Sequence, residues 1–198
     1  MTFSQTVAIA AVSTRVFGPC AVPRAAAVAA LKVTGDDAAL AFSLHTQVPR
    51  TPADLDRWID PLIADNPLLI GYRLGRISRL LTEAGYGRRL IAGFSAQGRH
   101  ELLDVVRGRP VPLSVAAGLC GVAAVDEDAL LPFAPIAPHV AADLALVNAV
   151  ASWIVHVRRG GHGTSTPAAA AALTQLSEAL HTGAAPLPLI AATVAAVQ

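Results

Sequence analysis

The stretch 139–160, HVAADLALVNAVASWIVHVRRG, constrains this chain more than any other part of it. Wound at about 100° per residue, it makes a helix with two unlike sides. Asn148, Ser152, His156 and Arg159 fall together on one side, which should face water. Val140, Leu144, Val147, Val150, Ile154 and Val157 fall broadly on the other. Asp143 breaks the pattern: it lies within the apolar stripe, one turn after His139 at i,i+4 spacing. A carboxylate on a core-facing stripe is costly unless a partner offsets it. Two readings are open. Asp143 is either a metal-binding or catalytic carboxylate at the rim of a cleft, or an Asp near a helix N-terminus, favoured there by the helix dipole and bonded to a nearby donor.

The helix is apolar over much of its surface, yet Asp143, Asn148, His156 and two Arg argue against a membrane span. The remaining composition agrees. The chain has 198 residues, 54% hydrophobic and 15% charged, enough for one domain with a substantial core, and much of that core is alanine. Net charge is +1, so the molecule as a whole does not call for nucleic acid or membrane. Charge is unevenly spread, however. Residues 73–109 hold eight Arg against three acids, and this basic block reads either as an anion-binding surface or as solvated Arg. Cys20 and Cys120 have no metal-ligand spacing and read as free thiols of a reducing cytoplasm. The N-terminal run has no basic start and reads as a strand rather than a signal peptide.

In chain order, Thr6–Thr14 is a short apolar strand. Residues 25–33 suit a strand or, by their alanine content, a helix; pairing with 38–46 across Gly35-Asp36-Asp37 favours a hairpin. Thr51 caps a helix, with Pro52 at its first position and Asp54 as the acidic capping partner; Asn66-Pro67 ends it. Residues 68–74 form a buried strand and 75–86 a second helix. Strand or loop is expected at 90–94, strand or helix at 101–107, and a short helix at 113–119. Residues 122–138 are loop-like. After the long helix, Gly160-Gly161-His162-Gly163-Thr164-Ser165 reads as a linker, followed by a helix to about 180 and an Ala/Val-rich tail that docks on the body or on a partner. The expected organisation is a domain at 1–160 and an appendage at 161–198. The fold class is α/β: three antiparallel strands extended by parallel ones and flanked by helices, as in an RNase H-like layer.

Five runs carry a family resemblance. Ala11-Val12-Ser13-Thr14 closes the first strand. Gly71-Tyr72-Arg73 closes the next buried strand, with Ile77-Ser78 shortly after. Arg99-His100-Glu101-Leu102 and the segment 113–121 follow, and His139-Val140-Ala141-Ala142-Asp143 opens the long helix. In hydrophobic pattern and spacing, over most of 6–160, the chain resembles 3′–5′ exonucleases of the DEDD class. It is most similar to bacterial proteins related to the exonuclease domain of family-B DNA polymerases. That family has Asp-x-Glu-Thr on its first strand, Gly-Tyr-Asn and then Phe-Asp at the second motif, and Tyr-x-x-x-Asp on its closing helix.

The resemblance makes Asp143 the fourth metal-ligating acid and puts Ala11, Ser13 and Ser78 where the other three would stand. His139 replaces the Tyr; related exonucleases have a His near this position, one residue further from its Asp. Two-metal chemistry needs several carboxylates to hold a pair of divalent ions about 3.5–4 Å apart. Ala11 has no ligand atom, and serine hydroxyls are weak ligands for hard cations. No intact catalytic set and no cofactor is therefore expected, with Asp143 the sole retained candidate ligand and Mg²⁺ or Mn²⁺ relevant only if other acids rebuild the site. Loss of the acids removes repulsion for phosphates. Arg73, Arg76, Arg79 and His139 then become candidate contacts for single-stranded DNA or RNA, bound without cleavage. The alternatives are a protein-interaction or self-association scaffold using 166–198, and an active nuclease built from His139, Asp143, Glu101 and Asp104. No P-loop, dinucleotide fingerprint or Ser/His/Asp motif points to another enzyme class.

Overall fold

The computed structural model describes residues 5–14, 24–36, 38–65, 67–83, 99–102, 105–106, 109–125, 137–160 and 165–182. The strands β1 (Thr6–Thr14), β2 (Arg24–Gly35), β3 (Leu40–Gln47), β4 (Leu68–Tyr72) and β5 (Arg99–Leu102) form one sheet in the order β3-β2-β1-β4-β5. The first three are antiparallel; β4 is parallel to β1 and β5 to β4. A separate short ribbon pairs β6 (Val105–Val106) with β7 (Arg109–Pro110). The helices are α1 (Pro52–Ile63), α2 (Leu74–Glu83), α3 (Leu113–Gly118), α4 (Pro138–Arg158) and α5 (Thr166–Thr182). The protein is thus α/β with a mixed sheet.

β1 lies at the centre of the sheet and is apolar along almost its whole length, as a strand covered on both faces must be. Val7, Ile9 and Ala11 pack with Leu55, Ile59, Leu74, Ile77 and Leu81 of α1 and α2. Ala10 and Val12 pack with Ala141, Ala145 and Ala149 of α4 on the opposite face. The open choice at 25–33 resolves as strand. Its alternation divides the same way, with Val28 and Ala30 towards α1 and α2, and Ala27 and Ala29 towards α4.

Local signals set the connections. Asp36 and Ala39 exchange two backbone hydrogen bonds of 3.2 Å, and Asp36 Oδ1 accepts from the Ala38 and Ala39 N–H groups at 3.0 and 3.1 Å. Gly35 precedes this turn at φ 120°, where a Cβ would stand 2.1 Å from the Ala39 carbonyl oxygen. At α1 the capping box forms: Asp54 N–H donates to Thr51 Oγ1 (3.2 Å) and Thr51 N–H to Asp54 Oδ2 (3.0 Å).

The long helix departs from expectation. Most of its supposed water-facing side is buried: Asn148 and Ser152 are fully covered and His156 is 1% exposed, Arg159 alone being exposed, while Val140 of the apolar side is 40% exposed. The reason is that α3 and α5 pack against α4 in a core they share with Leu31, Val33, Ile70 and Tyr72 of the sheet. Leu113, Ala116 and Ala117 of α3, then Cys120 and Val122, and Leu173 and Leu176 of α5 share one core with Trp153 and Ile154 of α4. Asn148 and Ser152 face the protein interior, not solvent. Asn148 Oδ1 accepts from Val125 N–H (3.0 Å), and Ser152 Oγ donates to the Asn148 carbonyl (2.8 Å). By length and hydropathy α4 could cross a bilayer, but 83% of its apolar window is buried inside the protein, as in a core helix. In α5, Gln175 Oε1 accepts from Leu40 N–H at 2.7 Å, so this helix is tied to the sheet edge. The expectations for 90–94, Cys20, Asp104, 126–136, 161–164 and the tail after 182 lie outside the described residues.

Two outcomes test this packing. Asn148→Ala orphans the Val125 N–H and should cost about 1–3 kcal/mol in urea unfolding. His45 is the second test. Burial first, and the Lys32 charge second, lower its pKa from 6.5. The unfolded chain then takes up a proton that the folded chain resists, so stability is full above pH 6.5 and falls as pH drops below it. Thermal melts across that range should show the fall, and His45→Gln should flatten it.

Candidate functional site

In open α/β sheets, ligands gather at the carboxyl ends of parallel strands. Here those ends belong to β1 and its parallel neighbour β4. The helix α4 runs antiparallel to β1, which its packing shows directly. Residues of its first half, Ala141, Leu144 and Ala145, share a core with Ala10 and Val12; residues of its second half, Ile154 and Val157, share one with Ala8 and Val33. The opening turns of α4 therefore stand at the carboxyl end of β1, and they carry His139, which is exposed, and Asp143, which is half-buried. Asp143 is at the margin of the core and not within it: Ala141 and Leu144 on either side of it are buried against the sheet, while Asp143 itself is half-buried.

On β1, Ala11 is 2% exposed and packed against α1 and α2, so its side chain belongs to the core. Ser13 is 7% exposed and follows an irregularity in the β1–β2 register between Val12 and Ser13. Such a shift re-aims the side chains beyond it.

On β4, Gly71 is required by close approach. A Cβ there would stand 2.7 Å from the Ile9 carbonyl oxygen and 2.6 Å from Leu74 Cδ2. Tyr72 is buried and its hydroxyl donates to the Val111 carbonyl, which ties β4 to the segment leading into α3. Tyr72 is thus a structural tyrosine and not a surface for base stacking; Tyr86 and Phe94 lie outside the described residues. Arg73 then turns the chain into α2 at φ 57°, the left-handed region. Its carbonyl accepts from the N–H groups of Arg76 (2.8 Å) and Ile77 (3.2 Å), starting the helix. Nothing in the sequence signals this conformation, which Gly or Asn adopts more readily than Arg.

The helix α2 buries Leu74, Ile77 and Leu81 and turns Arg79 to solvent, with Arg76 half-buried one turn earlier. Ser78 is half-buried, and its carbonyl accepts from Thr82 Oγ1 at 2.7 Å. Glu101 stands in register with Gly71 on the adjoining strand, and Asp104 lies outside the described residues. The structure therefore brings Ser13, Arg73, His139 and Asp143 to one end of the sheet. It leaves Ala11 in the core.

A pair of divalent cations does not fit this donor set. It offers one carboxylate, one neutral hydroxyl and an alanine where several anionic oxygens are needed. Among the described residues, no group of three His, Cys, Asp or Glu side chains comes together in a way that could hold a metal ion. Comparison with protein-family models, with curated proteins and with solved structures finds no match to this chain.

The left-handed residue at the end of β4 yields a direct test. Arg73→Asn should retain or raise stability in urea unfolding, whereas the β-branched Arg73→Val should be roughly 1–2 kcal/mol less stable than Arg73→Asn.

Proposed function

We propose that this chain is a catalytically degenerate relative of the DEDD-class 3′–5′ exonucleases, built on an RNase H-like fold, that binds single-stranded nucleic acid without cutting it. The observation that carries the reading is the position of Asp143. An aspartate stands where the closing helix meets the carboxyl end of the first strand, which ends in Ser13 and Thr14, while the Ala11 side chain faces α1 and α2 across the sheet. The sheet order, with three antiparallel strands followed by two parallel ones, supports the fold half of the proposal. Helices on both faces support it too, α4 lying opposite α1 and α2.

The binding half rests on charge. Arg73, Arg76 and Arg79 follow the end of β4 directly. A basic rim without a metal pair attracts phosphates, and the resulting affinity falls steeply with salt. With Tyr72 committed to Val111, it offers no face for base stacking, and the reading is of recognition through the phosphate backbone. Use of 166–198 as a protein-interaction segment is a weaker reading, since Leu173 and Leu176 of α5 are spent on the core.

The experiment is a labelled single-stranded DNA or RNA oligonucleotide incubated with the protein in Mg²⁺, Mn²⁺ or EDTA, read for shortening and for gel shift. No shortening is expected, together with a shift that weakens with salt and in Arg76→Ala and Arg79→Ala. Metal-dependent shortening from the 3′ end, lost in Asp143→Ala, would instead establish an active nuclease with a rebuilt site.

A further inference from the structure

The two edges of the sheet are unlike. β5 is four residues long and begins with Arg99. β3 spans eight residues, LAFSLHTQ, with no Lys, Arg, Asp, Glu or Pro, and pairs with β2 in unbroken register. Exposed edges are normally blunted by charge, proline, a bulge or brevity, because a row of unpaired backbone groups is a template for another strand. None of these devices is present along β3.

Which groups face outward follows from the hairpin. Asp36 and Ala39 exchange both backbone hydrogen bonds, so they form a hydrogen-bonded pair. Pairs alternate along an antiparallel ladder, and Ala41, Ser43, His45 and Gln47 therefore point their backbone groups at β2. Leu40, Phe42, Leu44 and Thr46 point theirs away. The bond from Leu40 N–H to Gln175 Oε1 agrees with this assignment and closes that end of the edge. Among the described residues, no hydrogen bond meets the outward groups of Phe42, Leu44 and Thr46.

These three residues are symmetric about Leu44, which makes the open edge complementary to itself. We propose that β3 pairs antiparallel with the β3 of a second copy about a twofold axis at Leu44, joining the two sheets into one. In this register Leu44 faces its own copy, and Phe42 faces the partner's Thr46, each pair exchanging two N–H···O=C bonds. The register uses the open donors and leaves the capped Leu40 outside. Leu44 is 38% exposed, and its copy would cover it. The aromatic–β-branched pairing of Phe42 with Thr46 is a favourable cross-strand contact. The strand carries no formal charge apart from what His45 takes up in acid, so self-pairing sets no like charges opposite one another at neutral pH. Twofold pairing through one isologous patch also closes the assembly at a dimer.

Sedimentation velocity of the full chain over a concentration series tests the proposal, and a monomer–dimer equilibrium is expected. Leu44→Pro removes an outward N–H but none of the ladder to β2, the one place where an edge strand accepts proline. It should be monomeric with an unchanged circular dichroism spectrum. Cysteine substitution tests the register without risk to the fold. Leu44→Cys places two thiols on a pair with Cα atoms about 5.5 Å apart, within disulfide reach. It should become a covalent dimer under mild oxidation, above the background of the parent chain. Thr46→Cys would sit about 13 Å along the strand from its copy and should not. A monomer at every concentration overturns the proposal and leaves the edge to a strand of another protein. So does a dimer in which Leu44→Cys fails to cross-link or Thr46→Cys does so equally.

Discussion

The seating of α4 on β1 and β2 is the contact on which the rest of this structure depends. It is made largely of alanine: Ala141, Ala145 and Ala149 meet Ala10, Ala27 and Ala29. Small side chains on both surfaces let the helix lie close to the sheet, with the larger Leu144 and Val147 filling the flanks. Each alanine buries little area, so the stabilisation is spread along the contact and comes from close packing. Enlarging any one of them would push the helix off and loosen its neighbours. The same seating sets the axial position of α4, and with it the place of His139 and Asp143 at the strand ends.

The second half of the helix is enclosed by α3 and α5 as well as by the sheet. Trp153, fully buried and meeting Phe42 edge-on with ring centroids 5.5 Å apart, anchors a second core that includes α3 and α5. Asn148 and Ser152 are tolerated inside because each has a backbone partner, Val125 N–H for one and the Asn148 carbonyl for the other. Through its carbonyl oxygen the asparagine holds the extended segment after α3 against the helix, while its amide nitrogen is buried without a hydrogen-bond partner among the described residues. Fold and site are linked through this layer: α4 is gripped from two sides, which makes the end of β1 a rigid place to hold a side chain.

On the proposed reading, what replaced the acids also altered the core. Ala11 belongs to the packing between β1, α1 and α2, where a carboxylate would be desolvated without a cation to offset it. Loss of a metal pair and gain of a continuous apolar strand are then one event. Arg73 shows the opposite balance, holding a left-handed conformation at the turn into α2 that its residue type does not favour.

Much of the architecture was legible in the chain because it rests on local chemistry. The Thr51-Pro52-Asp54 start of α1, the turn at Asp36, and the apolar run of β1 are written in residues a few positions apart, and each forms as expected. The strand choice at 25–33 needed a partner to settle it, since alanine suits either state and pairing with β1 and β3 decides. The polar side of α4 was misread for a related reason. Helical periodicity separates two faces but is silent on what covers each, and here a later layer of α3 and α5 covers the side that looked solvent-facing. The sequence by itself determined β1, the capped start of α1, the turn at Asp36 and the absence of acids at Ala11, Ser13 and Ser78. Only the tertiary structure decided that Asp143 stands at a margin, that Tyr72 is committed to Val111, that Arg73 is left-handed and that β3 lies at the edge of the sheet. Those properties depend on which distant segments meet, and spacing along one chain does not encode the partner.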